Sequence, residues 1–204
     1  MRRLNTLYSL ALFLAPLTGL MVGASSASAQ AKTFKVDTTG GSSIQFVSDA
    51  PLEKFTGKTT SLSGDITVDP AKADKAKAEI KAEVGTIKTN VQLRDEHLAG
   101  ENWLDAKKYP QAKFVISKIS GATALKANDL TEVKIAGKFT IHGVTKDVNT
   151  TAKVRYTPGA KPALRVQSTF TIHLEDYKVS IPKIVSLKVS PDIVVNVDIK
   201  ATAS

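Results

Sequence analysis

Val133-Lys134-Ile135-Ala136-Gly137-Lys138-Phe139-Thr140-Ile141, followed by His142-Gly143 and then Val144 to Tyr156, is the stretch on which the fold turns. Val133, Ile135, Gly137, Phe139 and Ile141 share one parity; Lys134, Ala136, Lys138 and Thr140 share the other. A strand alternates its side chains between two faces, so each set lies on its own face. Beyond a turn at His142-Gly143-Val144-Thr145-Lys146, the apolar set continues as Val148, Thr150, Ala152, Val154 and Tyr156. The opposite face carries Asp147, Asn149, Thr151, Lys153 and Arg155, which is solvent chemistry. The pattern predicts a long β-hairpin, apolar on one side.

Working outward, Leu164, Val166, Ser168, Phe170 and Ile172 predict the next strand after the turn Thr157 to Pro162. Ile193, Val195, Val197 and Ile199 predict the last one, beyond a looser segment from Leu174 to Asp192. Toward the N-terminus, Phe34–Asp37, Ser43–Ser48 and Leu62–Asp69 read as strands, and Phe55-Thr56-Gly57 as a loop or a turn across a barrel mouth. Lys75 to Val84 is rich in helix formers, yet its lysines and glutamates alternate strictly with Ala76, Ala78, Ile80, Ala82 and Val84. A helix would scatter those charges around its cylinder, so the segment is read as a strand.

The sum is a mainly β chain of eight antiparallel strands, or nine, with one short helix after the fourth or fifth. One-sided strands joined mostly by short turns favour a single up-and-down, lipocalin-like barrel. Such a barrel is either filled by side chains or left hollow for one ligand. Ala76, Ala78, Ala82, Gly137, Thr150, Ala152 and Ser168 are small for a filled interior. Phe46, Phe114, Phe139 and Phe170 are large enough to close it.

At the front, Met1-Arg2-Arg3, the apolar run Leu4–Leu20 and Ala27-Ser28-Ala29 form the three regions of a secretory signal peptide. Cleavage after Ala29 would leave residues 30–204 as one exported domain, periplasmic or secreted. Losing Arg2 and Arg3 and no acid lowers the formal charge from +9 to +7. There is no cysteine, which excludes thiol catalysis and cysteine metal sites. The lysines are spread along alternating segments, so the basic balance reads as a solvated exterior and not as a nucleic-acid surface.

Polar and aromatic groups gather in Arg94-Asp95-Glu96-His97-Leu98, Trp103-Leu104-Asp105 and Tyr109-Pro110. This reads as a short helix leading into a strand, since proline holds the residue before it extended. Asp95 and His97 could form an acid–base pair, or Arg94, Asp95 and His97 could pin the helix to the barrel rim; the second reading is preferred. His97, His142 and His173 show no metal-ligand spacing, and no nucleophile elbow or phosphate-cradling loop is present. No catalytic or metal site is expected.

Two motifs in this order resemble the YceI-like family of exported, lipocalin-like proteins. The first is Arg94-Asp95-Glu96-His97-Leu98 with Trp103-Leu104-Asp105, Tyr109-Pro110 and Phe114. The second is Gly137 with Thr140 to Lys146, including His142 and Gly143. The likeness extends from Phe34-Lys35-Val36-Asp37 and Ser43-Ile44-Gln45-Phe46 to Phe170-Thr171-Ile172 and Asp176, nearly the whole mature chain. It departs where Trp103-Leu104 replaces two phenylalanines, where Tyr177-Lys178 replaces phenylalanine-glycine, and at Ser48-Asp49-Ala50-Pro51.

The resemblance implies a non-enzymatic barrel whose tunnel holds a polyisoprenoid amphiphile, a quinone or a prenyl lipid, with no other cofactor. Phe46, Phe114, Ile116, Phe139, Ile141, Phe170 and Val197 are the expected lining, with Trp103 and Tyr109 at the mouth. Arg94, Asp95, His97, His142 and Gly143 are the expected structural motif. The partner would be an isoprenoid or other long-chain lipid, with a transient membrane-surface contact and a homodimer left open and no nucleic acid. The competing expectation is a non-catalytic stress or interaction module with a filled core.

Overall fold

The computed structural model describes residues 30–204; the expected signal peptide, residues 1–29, lies outside them. In chain order the strands are β1 (Lys32–Val36), β2 (Ser43–Asp49), β3 (Lys54–Thr59), β4 (Leu62–Val68) and β5 (Lys77–Glu83). After the helix α1 (Gln92–Ala99) come β6 (Gln111–Ser120), β7 (Leu130–Ile141), β8 (Val144–Thr157), β9 (Ala163–His173) and β10 (Asp192–Ala203). All pairings between these strands are antiparallel. β1-β4-β5-β6-β7-β8-β9-β10 form a ring that closes where β1 pairs with β10, and β2-β3 extend from β10. The protein is therefore an eight-stranded closed barrel carrying one further hairpin, ten strands in place of eight or nine.

The extra hairpin follows from two interrupted strands. β1 and β2 share one edge of β10, Val36 opposite Ala201 and Ser43 opposite Asp198. Residues between them loop out, and the buried Ser42 hydroxyl replaces ladder bonds by accepting from the Lys200 amide (3.0 Å) and donating to its carbonyl (3.1 Å). β3 and β4 break likewise at Thr60-Ser61. Phe55-Thr56-Gly57, expected as a loop, lies inside β3 and pairs with β2. At the other boundary, Lys75 belongs to a short 3₁₀ turn and the strand begins at Lys77.

Only β4 continues the wall to β5, so a seam opens between β3 and the start of β6. The segment carrying α1 fills it. Lys58 and Lys88 exchange backbone hydrogen bonds at 2.9 Å, and the Val84 amide donates to the Pro110 carbonyl at 2.8 Å. The β7–β8 turn is only His142-Gly143, both at positive φ (51° and 73°), with Ile141 opposite Val144. That is a tight two-residue hairpin loop whose twist matches the strands, and glycine is the residue that adopts it without strain.

Two buried clusters pack inside the barrel. Around Phe34, Val36, Leu62, Ile66, Val133, Ala152, Leu164 and Ile199 the far end is packed into a floor. Around Phe139, Phe170, Leu174, Tyr177, Val179 and Ile193 a second cluster packs beside the mouth. The Leu174–Tyr177 3₁₀ turn ends at Lys178, a non-glycine residue in the left-handed region at φ 59°. Holding a side chain there costs roughly 1 kcal/mol. Lys178→Gly is expected to raise the Tm by a few degrees in thermal unfolding followed by circular dichroism.

Candidate functional site: an apolar lumen with one mouth

Between floor and mouth the barrel encloses an apolar cavity of about 560 Å³. An engineered apolar cavity of about 150 Å³ already takes up benzene. Phe46, Phe114, Ile116, Phe139, Ile141, Phe170 and Val197 all lie on its wall. Ile44, Phe114, Ile116, Val166 and Val197 are only half-buried although they point inward, since one side of each faces the lumen. The core is not filled, unlike that of the competing interaction-module expectation.

Two cross-strand glycines explain why the phenylalanines do not close the lumen. Phe46 stands opposite Gly57, and Phe114 lies diagonally beside Gly137. A β-carbon at either glycine would collide with the neighbouring ring. Each ring therefore lies along the wall over its glycine. Phe139 and Phe170 pack edge to face at 5.4 Å, Phe139 meets Tyr177 at 5.6 Å, and Phe114 and Phe170 are tilted at 5.9 Å. Phe114, Phe139 and Phe170 form one side of the upper wall, and Tyr177 packs against Phe139 outside it. Burial pushes the Tyr177 hydroxyl up to about 12, with Asp176 adding to the shift.

The mouth is framed by α1, the Asp49–Lys54 bend and the Pro182–Val189 loop. Arg94 bonds Glu53 at 2.7 Å and lies 4.2 Å over the Phe55 ring, tying helix to hairpin. Asp95 accepts the Thr89 amide and hydroxyl, each at 2.7 Å. Those two bonds, with Lys88 at 3.6 Å, hold its carboxyl below the usual carboxylate range. The carboxylate is thus engaged with the turn before α1, and no bond joins it to His97 among the described residues. His97 and Trp103 line the cavity at this end, Trp103 half-buried beside the buried Leu104.

Tyr109 is placed differently from the expectation. It is absent from the cavity wall and packs against Gly143 from outside, its ring 5.1 Å from that of His142. His142 Nδ1 donates to the Tyr177 carbonyl at 3.0 Å. Tyr109, His142, Gly143 and Tyr177 thus lock the β7–β8 turn to the 3₁₀ turn beside it. Three elements are held together without touching the lumen. No group of metal-ligating side chains occurs among the described residues.

A closed antiparallel barrel with a hollow apolar interior and a framed mouth is of the lipocalin-like class. Residues 34–201 match the YceI-like domain, and the chain belongs to that family. A UPF0312 protein of Pseudomonas putida strain W619 is 29% identical over 176 residues, covering 83% of this chain and 88% of that protein. BcnA of Burkholderia cenocepacia superposes with a TM-score of 0.66 at 27% identity, over 81% of this chain and 98% of that one. A polyisoprenoid-binding domain from Saccharophagus degradans gives 0.67 at 19% identity, over 84% and 98%, a likeness of fold.

Proposed function

We propose that this protein is an exported, non-catalytic carrier that holds a polyisoprenoid-type amphiphile, a quinone or prenyl lipid, in the barrel lumen. The observation that carries this reading is the apolar cavity of about 560 Å³, open at one framed end. Branched isoprenoid chains suit its mixture of aromatic and aliphatic walls, while Arg94, His97 and Lys188 at the mouth offer donors to a polar head. The YceI-like family membership and the fold shared with a polyisoprenoid-binding domain support it. At ~0.8 kcal/mol per buried CH₂, a few isoprene units offset the cost of association.

Trp103 is the sole tryptophan and lines the cavity, so it reports directly on occupancy. Native mass spectrometry of protein purified from its host envelope is expected to show a bound lipid. Isoprenoid titration is expected to quench Trp103 fluorescence to saturation. Repeated recovery of apo protein with unchanged fluorescence would sink the proposal.

A further inference from the structure

We infer that the rim of the mouth is a docking surface for an anionic lipid bilayer, on which the barrel opens directly against the membrane. Six large hydrophobic side chains are exposed among the described residues. Five of them, Leu52, Val91, Leu93, Ile184 and Leu187, surround this one opening; only Leu130 stands at the opposite end, where β7 begins. Scattered exposed leucines are ordinary, but a cluster rimming a cavity marks an interaction surface.

The five form one surface because three separate segments are tied together. The Leu52 amide donates to the Leu187 carbonyl at 2.9 Å, joining the hairpin bend to the 182–189 loop. Arg94 bonds Glu53 at 2.7 Å, joining the bend to α1. Val91, Leu93 and Ile184 each also line the cavity, so the exposed rim is continuous with the lumen wall. Ile184, 92% exposed, is the most prominent member.

Charge selects the occupant. From Lys178 to Ser190 the chain carries Lys178, Lys183 and Lys188 and no acid, alternating with Ile181, Ile184, Val185, Leu187 and Val189. Apolar residues interleaved with lysines are suited to the headgroup boundary of an anionic leaflet, the apolar side chains entering and the ammonium groups meeting lipid phosphates. Of the acids around this end, Asp49, Glu53 and Asp95 are paired with Lys54, Arg94 and Lys88, Glu96 accepts from Gln92, and Glu175 and Asp176 precede the lysine-bearing segment. Lys178, Lys183 and Lys188 form no ion pair among the described residues. An apolar protein partner would not require these cations beside the apolar tips.

The inference deepens the carrier reading and rests on it for its purpose, since a cargo that resides in membranes must be taken up or delivered at one. The surface argument is tested apart from the cargo. Full-length mature protein is sedimented with vesicles of phosphatidylethanolamine and phosphatidylglycerol, and in parallel with phosphatidylcholine vesicles. Wild-type protein is expected to pellet with the anionic vesicles and only weakly with the zwitterionic ones. Leu93→Glu combined with Ile184→Glu is expected to lower the bound fraction at least ~10-fold, as two apolar insertions are lost. Lys183→Glu with Lys188→Glu is expected to remove the preference for anionic lipid. Leu130→Glu, at the far end, is expected to bind like wild type.

Isoprenol quenching of Trp103 is measured on every variant. If quenching fails in wild type while vesicle binding behaves as described, the cargo reading falls and the docking surface stands. If the Leu93/Ile184 variant keeps the wild-type circular dichroism spectrum and still pellets like wild type, the docking surface is overturned. It is equally overturned if wild type binds neither vesicle, if Leu130→Glu abolishes pelleting, or if the rim proves to be buried between two copies in sedimentation velocity.

Discussion

Phe34→Ala is expected to lower the unfolding free energy by ~3–5 kcal/mol, the usual range for deleting a fully buried phenylalanine. Its side chain is completely buried in the floor cluster and meets Tyr156 edge to face at 6.4 Å. The position matters beyond its contact area. Phe34 stands opposite both Ile66 of β4 and Ala203 of β10, so its strand is the one that closes the ring. The floor residues around it cannot collapse into the space without drawing in the ends of three strands. At ~2–4 °C per kcal/mol for a domain of this size, the Tm is expected to fall by roughly 6–20 °C. Circular dichroism on heating checks this. A fall of only a degree or two would mean that β1 is peripheral to closure.

The contrast between this floor and the hollow above it was partly legible in the sequence. The later strands, β7 to β10, alternate strictly, and their inward parity matches the interior of the barrel. β5 is also a strand despite its helix-forming composition, because a period of two outweighs local propensity when one face must be buried. The lysines and glutamates of that segment lie on the parity opposite its alanines. Strict alternation left little room for another register, as a one-residue slip would have exposed the whole apolar set.

β3 was hidden because its inward positions are Phe55, Gly57 and Thr59, of which one alone is large and apolar. Gly57 reads as a turn signal, yet it is there to receive the ring of Phe46. In β6, parity taken from Phe114 and Ile116 would point Lys118 inward. A register shift between Ile116 and Lys118 turns Ile119 in instead, which period-two reasoning does not anticipate. Tyr109 has the chemistry of a mouth residue, but its ring is used to cover Gly143, a contact set by a turn thirty-odd residues further along the chain. The Arg94–Glu53 link and the apolar rim join segments far apart in sequence, and neither carries a periodic signal.

Ala78→Trp is expected to abolish binding of long isoprenoids while leaving the barrel folded. Ala78 lies on β5 opposite Ile66 and lines the lower lumen. An indole there fills existing volume and deletes no hydrogen bond, so overpacking strain of the usual ~1–3 kcal/mol is the most it should incur. The ligand loses the deep half of the tunnel. Every isoprene unit denied burial forfeits several CH₂ equivalents at ~0.8 kcal/mol each, so one excluded unit corresponds to a fall in affinity of ~100-fold or more. The effect should depend on chain length. A chain of two isoprene units, able to sit between the mouth and the blocked half, is expected to lose little, whereas one of eight is expected to lose nearly all measurable binding. Titrations reading Trp103 are no longer clean once a second tryptophan is present, so isothermal titration calorimetry on both chain lengths is the deciding measurement. Equal losses for short and long chains would show that the substitution damages the wall generally; unchanged affinity for both would show that the lumen is not where the chain binds.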